Sequence, residues 1–201
     1  MMADKAPNVS HEFLGKVQPI VLVGGRSQRF GRDKLQEPVG ADGRILVQYP
    51  IDALRKVFGR RVKLVGSCNP AITKWADGIM ADYYPDFGPI GGILSALAQW
   101  HGPIFVLAGD MPCFGTDEIL RVLTVAELQT TAPAILTFTD RLHPCAGVYN
   151  QHAELALRNS LSGGNRSLVK ALDLNAIHQV PVRVESARNV NSPSDIDQLI
   201  R

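Results

Sequence analysis

The sequence predicts an α/β fold, a three-layer, doubly wound and mostly parallel sheet. Three observations carry that expectation. Ile20 to Val23 and Ile104 to Ala108 are short apolar runs without polar alternation, the pattern of central strands buried on both faces, and Val62 to Val65 reads as a further strand. Between such runs lie segments whose apolar residues recur at helical spacing, as helices covering a sheet require. The runs also lead into turn-forming or polar residues, Gly24-Gly25, Ser67-Cys68-Asn69 and Gly109-Asp110, where loops beyond carboxyl ends of strands would lie. With 201 residues and 45% hydrophobic content, the chain can bury a sizeable core as one domain.

Taken in order, residues 1–16 are expected to form a flexible tail and 17–201 a single domain. The first strand enters the glycine loop, and 35–45 reads as loop. Ile51, Leu54, Val57 and Phe58 recur at helical spacing behind Pro50, which suits a first turn, so 49–58 is expected to be a helix. After the second strand, Ile79 to Ala81 is a short run into Asp82, and Gly91 to Trp100 reads as a helix before the strand at 104–108. Thr116 is expected to cap a helix with Asp117 and Glu118 in its first turn and Ile119, Leu120, Leu123 and Ala126 along its apolar stripe. Ala134 to Thr139 reads as a strand, 152–161 and 166–173 as helices. Val180, Val182 and Val184 alternate like a strand with one wetter face. Ser192-Pro193-Ser194-Asp195 resembles a capping box for a last helix carrying Ile196, Leu199 and Ile200.

Composition narrows the function classes. Lys+Arg 21 against Asp+Glu 19 leaves a formal net charge of +2, so no broad basic field points to nucleic acid or a membrane surface. Cys68, Cys113 and Cys145 lie far apart without a Cys-x-x-Cys pair, which argues against a disulfide framework and a zinc site and fits reduced cytosolic thiols. The N-terminus holds no apolar run of the secretory kind before Ile20, and Gln99, His101 and Pro103 interrupt the apolar stretch from Phe87 to Gly109. A cytoplasmic protein is expected.

The chemistry concentrates in Leu22-Val23-Gly24-Gly25-Arg26-Ser27-Gln28-Arg29-Phe30-Gly31-Arg32-Asp33-Lys34. Gly24 and Gly25 let backbone N–H groups approach phosphate oxygens, Gly31 supplies a second turn, and Arg26, Arg29, Arg32 and Lys34 can neutralise charge. The spacing fits neither a Walker A loop nor the dinucleotide fingerprint. Lys34 is expected to bridge phosphate oxygens. Asp110, in Gly109-Asp110-Met111-Pro112 behind the most hydrophobic strand, is the expected metal ligand, since Mg²⁺ takes one or two carboxylates with substrate phosphates and waters. Asn69 and Asp82 stand beyond the second and third runs, each open to two readings, ligand contact or the capping of a turn.

The loop resembles that of nucleotidyltransferases, above all the molybdenum cofactor guanylyltransferase family. Five further segments are similar to that family in order: Gly88-Pro89-Ile90-Gly91-Gly92-Ile93, Gly109-Asp110-Met111-Pro112, His143-Pro144, Gly164-Asn165-Arg166-Ser167-Leu168 and Asn189-Val190-Asn191-Ser192-Pro193-Ser194-Asp195. The resemblance implies a Rossmann-like nucleotidyltransferase fold and transfer of GMP from GTP to the terminal phosphate of molybdenum-loaded molybdopterin, with Mg²⁺ and release of pyrophosphate. It implies that Leu22, Val23, Gly24, Gly25 and Arg26 line the nucleotide and Lys34 its phosphates. Asn69 and Asp82 would meet guanine or ribose, and Asp110 both nucleotide and metal. Molybdenum-insertion proteins and molybdoenzyme chaperones are the implied partners. Gly24-Gly25 matches the double glycine of the guanylyl branch, against Leu-Ala-Ala-Gly in the cytidylyl relatives, and Val23 departs from the family's usual alanine. The competing readings are a related enzyme using CTP or a sugar-phosphate acceptor, and a non-catalytic nucleotide or cofactor carrier.

Overall fold

The computed structural model describes residues 9–24, 30, 32–40 and 43–199. Seven strands form one sheet: β1 (Gln18–Leu22), β2 (Lys63–Val65), β3 (Ile79–Met80), β4 (Ile104–Ala108), β5 (Ala134–Phe138), β6 (Leu142–Tyr149) and β7 (His178–Pro181). Their spatial order is β3-β2-β1-β4-β6-β5-β7. Every neighbouring pair is parallel except those of β6, which runs antiparallel to both β4 and β5.

Side chains alternate across the sheet and sort the helices into two layers. Val21, Phe105 and Leu107 pack with Ile51, Leu54 and Phe58 of α2 (Gln48–Phe58) and with Ile119, Val122 and Leu123 of α5 (Thr116–Leu128). Ile20, Ile104 and Val106 point the other way, onto Ile90, Ile93, Leu94 and Leu97 of α4 (Pro89–Gln99) and Leu157 of α6 (Glu154–Ser162). The doubly wound, three-layer architecture is as the sequence leads one to expect.

Several elements differ from expectation, each for a physical reason. The main one is β6, whose Leu142-His143-Pro144-Cys145-Ala146-Gly147 lacks alternation and contains a proline. A register shift between Leu136 and Thr137 jumps β6 from Gly147 to His143, so Pro144 and Cys145 fall outside both ladders and the missing proline N–H costs no sheet bond. Gly147 lets β6 close on β5, since a Cβ there would lie 2.3 Å from Ile135 O.

The helix at 116–128 is capped by Gly115, whose N–H donates to Glu118 Oε2 (3.2 Å), and Thr116 is its first helical residue. Within 35–45, Lys34–Gln36 form a 3₁₀ turn capped by Asp33, and Pro38 bridges Ile45. In the segment expected as a tail, α1 (His11–Lys16) is capped by the Ser10 hydroxyl and accepts the Trp100 indole N–H at Lys16 O (3.0 Å). The strand near Val180 stops at Pro181, and Val184 is exposed. Three short helices complete the chain: α3 (Pro70–Thr73), α7 (Leu168–Ala171) and α8 (Pro193–Leu199). No helix among the described residues is long and apolar enough to cross a membrane.

Candidate active site

Strand order reverses direction at β1, with β2 on one side and β4 on the other, so the loops leaving β1 and β4 diverge and open a crevice at their carboxyl ends. Gly109 N–H donates to Leu22 O (3.0 Å) and Val23 N–H to Val65 O (2.9 Å), which ties three strand ends into one floor. Two glycines make this closeness possible. Gly24 has φ +113° with a Cβ position 2.9 Å from Ser67 O, and Gly66 has φ +112° with one 1.9 Å from Val23 O. The crevice holds about 1060 Å³. Its walls include Leu22, Val23, Gly24, Lys34, Gly66, Ser67, Asp82, Asp86, Asp110, Cys145, Arg166, Asn189 and Asn191.

Lys34 and Asp110 form its electrostatic centre. Lys34 Nζ lies 2.6 Å from Asp110 Oδ2, and each side chain is only about a sixth exposed, at 16% and 17%. Lys34 also donates to Val190 O (2.9 Å) and Asn191 Oδ1 (3.4 Å). Asn189 Nδ2 donates to Asp110 Oδ1 (2.7 Å), and Val190 N–H to Asp110 O (2.9 Å). Asp110 follows on the end of strand β4, while Lys34 opens the 3₁₀ turn at 34–36. An ammonium beside a carboxylate gives the site one fixed positive and one fixed negative centre for a charged ligand.

The opposite wall is built from the loop before α4. Asp82 Oδ1 accepts the Tyr84 N–H (3.1 Å) and the hydroxyl of the buried Ser95 (3.2 Å), so it caps its turn and lines the crevice at once. Asp86 takes the left-handed backbone at φ +66°, rare outside glycine. Its carbonyl accepts Arg166 Nη1 (3.0 Å), and the Arg166 guanidinium stacks over Phe87 at 5.0 Å. Burial, with the nearby Asp110 charge, pushes the Cys145 thiol up to about 12. It stays protonated at neutral pH and has no nucleophilic character there.

Of the residues singled out from the sequence, Leu22, Val23, Gly24, Lys34, Asp82 and Asp110 share the crevice. Gly25 and Arg26, with Arg29 and Gly31, lie outside the described residues. Asn69 is not brought into the walls: its Oδ1 accepts the Ala71 N–H (2.9 Å) and caps α3. Arg32 turns onto Glu37 (Nη2 to Oε2, 2.6 Å). Sequence reasoning did not assign Asp86, Cys145, Arg166, Asn189 or Asn191 to the site. The two asparagines were visible only as part of a motif, because they reach Lys34 and Asp110 across 157 and 79 positions.

Among the described residues, no group of three or more His, Cys, Asp and Glu could hold a metal by itself. The Asp110 carboxylate accepts from Lys34 and Asn189, two of its roughly four lone-pair sites. It therefore keeps oxygen for a hard cation whose other ligands come from phosphates and water, the donor set Mg²⁺ prefers.

The family model described as MobA-like NTP transferase domain matches residues 19–177. The probable molybdenum cofactor guanylyltransferase of Chloroflexus aggregans is 28% identical over 194 residues, covering 88% of this chain and 90% of that protein. Among solved structures, molybdopterin-guanine dinucleotide biosynthesis protein A from Archaeoglobus fulgidus aligns with TM-score 0.71 and 25% identity, over 90% of this chain and 95% of that one. The 4-diphosphocytidyl-2C-methyl-D-erythritol synthase from Anaerococcus prevotii shares the fold at TM-score 0.68 and 12% identity, over 91% and 95%.

Proposed function

The chain belongs to the MobA-like NTP transferase family, and from that membership we propose that it transfers GMP from GTP to the terminal phosphate of molybdenum-loaded molybdopterin, releasing pyrophosphate. The observation that carries this reading is the Lys34–Asp110 pair, 2.6 Å apart at the switch between β1 and β4. The names of the similar proteins from Chloroflexus aggregans and Archaeoglobus fulgidus support the choice of product.

The reaction joins two anions, so its barrier lies largely in bringing phosphate oxygen and α-phosphorus together. A phosphate monoester is already largely anionic near neutral pH and needs no dedicated general base. Gly24 keeps the floor free of side-chain atoms, and Lys34 offsets charge on the nucleotide phosphates. All three protons of the Lys34 ammonium are engaged, so binding phosphate means exchanging one partner, and the 3.4 Å contact to Asn191 is the weakest. Asp110 would hold Mg²⁺ together with phosphate oxygens, and the ion would supply further charge neutralisation. Molybdenum-insertion proteins and molybdoenzyme chaperones are the partners this product calls for, in the cytoplasm.

The test is pyrophosphate release by the purified protein with Mg²⁺ and molybdenum-loaded molybdopterin, comparing GTP, CTP, ATP and UTP, with mass analysis of the product. GTP-selective release yielding the guanine dinucleotide is expected. Preference for CTP would assign the chain to cytidylyl transfer. GTP binding without turnover would leave a carrier.

A further inference from the structure

Behind β7 the chain returns past the crevice as a strap held at both ends by carboxylates. At its start, Glu118 Oε1 accepts the Ser186 hydroxyl (2.6 Å) and Arg183 Nη2 (3.2 Å). At its end, Asp195 Oδ2 accepts the N–H groups of both Asn191 (2.7 Å) and Ser192 (2.8 Å). Between them Val190 is fully buried and hydrogen-bonded to Asp110 O. Among the described residues, Asn189, Val190 and Asn191 supply the hydrogen-bond partners that the Lys34 ammonium and the Asp110 carboxylate have besides each other. Asp195 itself touches neither.

We infer that Asp195 is a positioning residue for nucleotidyl transfer: by fixing the backbone of Asn191 and Ser192, it sets where Lys34 presents its charge. This rests on the reading of the site given above. An ammonium shares three protons among its acceptors, so the placing of the neutral ones decides how strongly it is drawn to the charged one. Asp195 holds the segment that carries Val190 O and Asn191 Oδ1. Without it these oxygens drift, Lys34 settles on Asp110 alone, and both groups withdraw from the nucleotide phosphates. The same contacts also cap α8, and a cap alone would affect stability and nothing else.

Three variants separate the two roles. Asp195→Ala removes the acceptor, Asp195→Asn retains an oxygen able to take both N–H groups, and Ile196→Ala weakens α8 from its buried side. The expected result is a fall of about 10- to 100-fold in kcat/KM for Mg-GTP with Asp195→Ala, the range typical when an outer hydrogen-bond partner is lost. The KM for Mg-GTP should rise more than that for the acceptor. Asp195→Asn should recover most of the loss, and Ile196→Ala should keep the kinetics of its folded fraction unchanged. Equal losses in Asp195→Ala and Ile196→Ala, in proportion to unfolding, would overturn the inference. Amide hydrogen exchange at Val190, whose bond to Asp110 is one step removed from Asp195, supplies a readout independent of turnover. Faster exchange in Asp195→Ala than in Ile196→Ala supports the inference, and equal exchange rejects it. If the wild-type protein transfers no GMP, the functional reading fails and the exchange measurement still decides the role of the strap.

Discussion

A methyl group on Gly66 would sit 1.9 Å from the carbonyl oxygen of Val23, at a φ of +112° that side chains avoid. Gly66→Ala should therefore cost about 2–4 kcal/mol, combining left-handed strain with overpacking. Urea unfolding measures it, with Gly59→Ala as reference, since that glycine faces open space at φ +69°. A loss no larger than that of Gly59→Ala would mean that the floor yields. At Lys34 the expectation is functional. Lys34→Ala should lower kcat/KM by roughly 10- to 150-fold, the worth of one charge-assisted contact, and leave the fold intact. If Asp110 holds Mg²⁺ as proposed, Asp110→Asn should lower activity and raise the Mg²⁺ concentration it requires, which a titration of activity against Mg²⁺ would reveal. Both residues were legible in the sequence because each closes a local pattern, a glycine loop and a buried strand. Asn69 was legible as either a ligand contact or the cap of a turn, and the structure takes the second, with Pro70 in the first turn of the short helix that Asn69 caps.

Among the elements, the joint between α2 and β2 depends on Asp77. Its carboxylate accepts Arg55 Nη2 (2.7 Å) and Nε (3.2 Å) and the Val62 N–H (3.0 Å). The Arg55 hydrogen bonds hold the Asp77 carboxyl below its usual range, against a smaller opposing effect of burial. A lowered folded-state value adds stability that is complete above the unfolded value, about 3.8, and is lost as pH falls through the folded one. Stability should thus decline below about pH 4, and Asp77→Asn should flatten that limb while costing about 1–3 kcal/mol at pH 7. Unfolding by urea from pH 2 to 7 checks both effects. The helix α2 could be read from its one repeating apolar face, and the strand β4 from an unbroken apolar run buried on both faces. Periodicity failed for β6, whose Pro144 and Gly147 make sense only beside the register shift in β5 and the Ile135 carbonyl.

At the scale of the whole molecule, the site is a meeting of loops that no short segment contains. Lys34 and Asp110 are 76 positions apart, and Asp110 and Asn189 are 79. A ligand that bridges these loops should stabilise the whole domain. At a concentration 100 times its Kd, Mg-GTP should add about 2.7 kcal/mol, a rise in Tm of roughly 5–10 °C for a chain of this size. Thermal unfolding with each of the four nucleotides checks this: GTP should give the largest shift, and equal shifts would reject base selectivity. By itself the sequence determined the alternation of strands and helices, the two-sided burial of the central strands and the choice of Lys34 and Asp110, behind β1 and β4, as residues of one crevice. These depend on neighbours one to four residues apart, whose solvation preferences hold in any context. Only the tertiary structure decided the reversed direction of β6 and the strap that joins Asp195 to Lys34. Those rest on hydrogen bonds and close approaches between distant segments, whose geometry exists only once the sheet has brought them together.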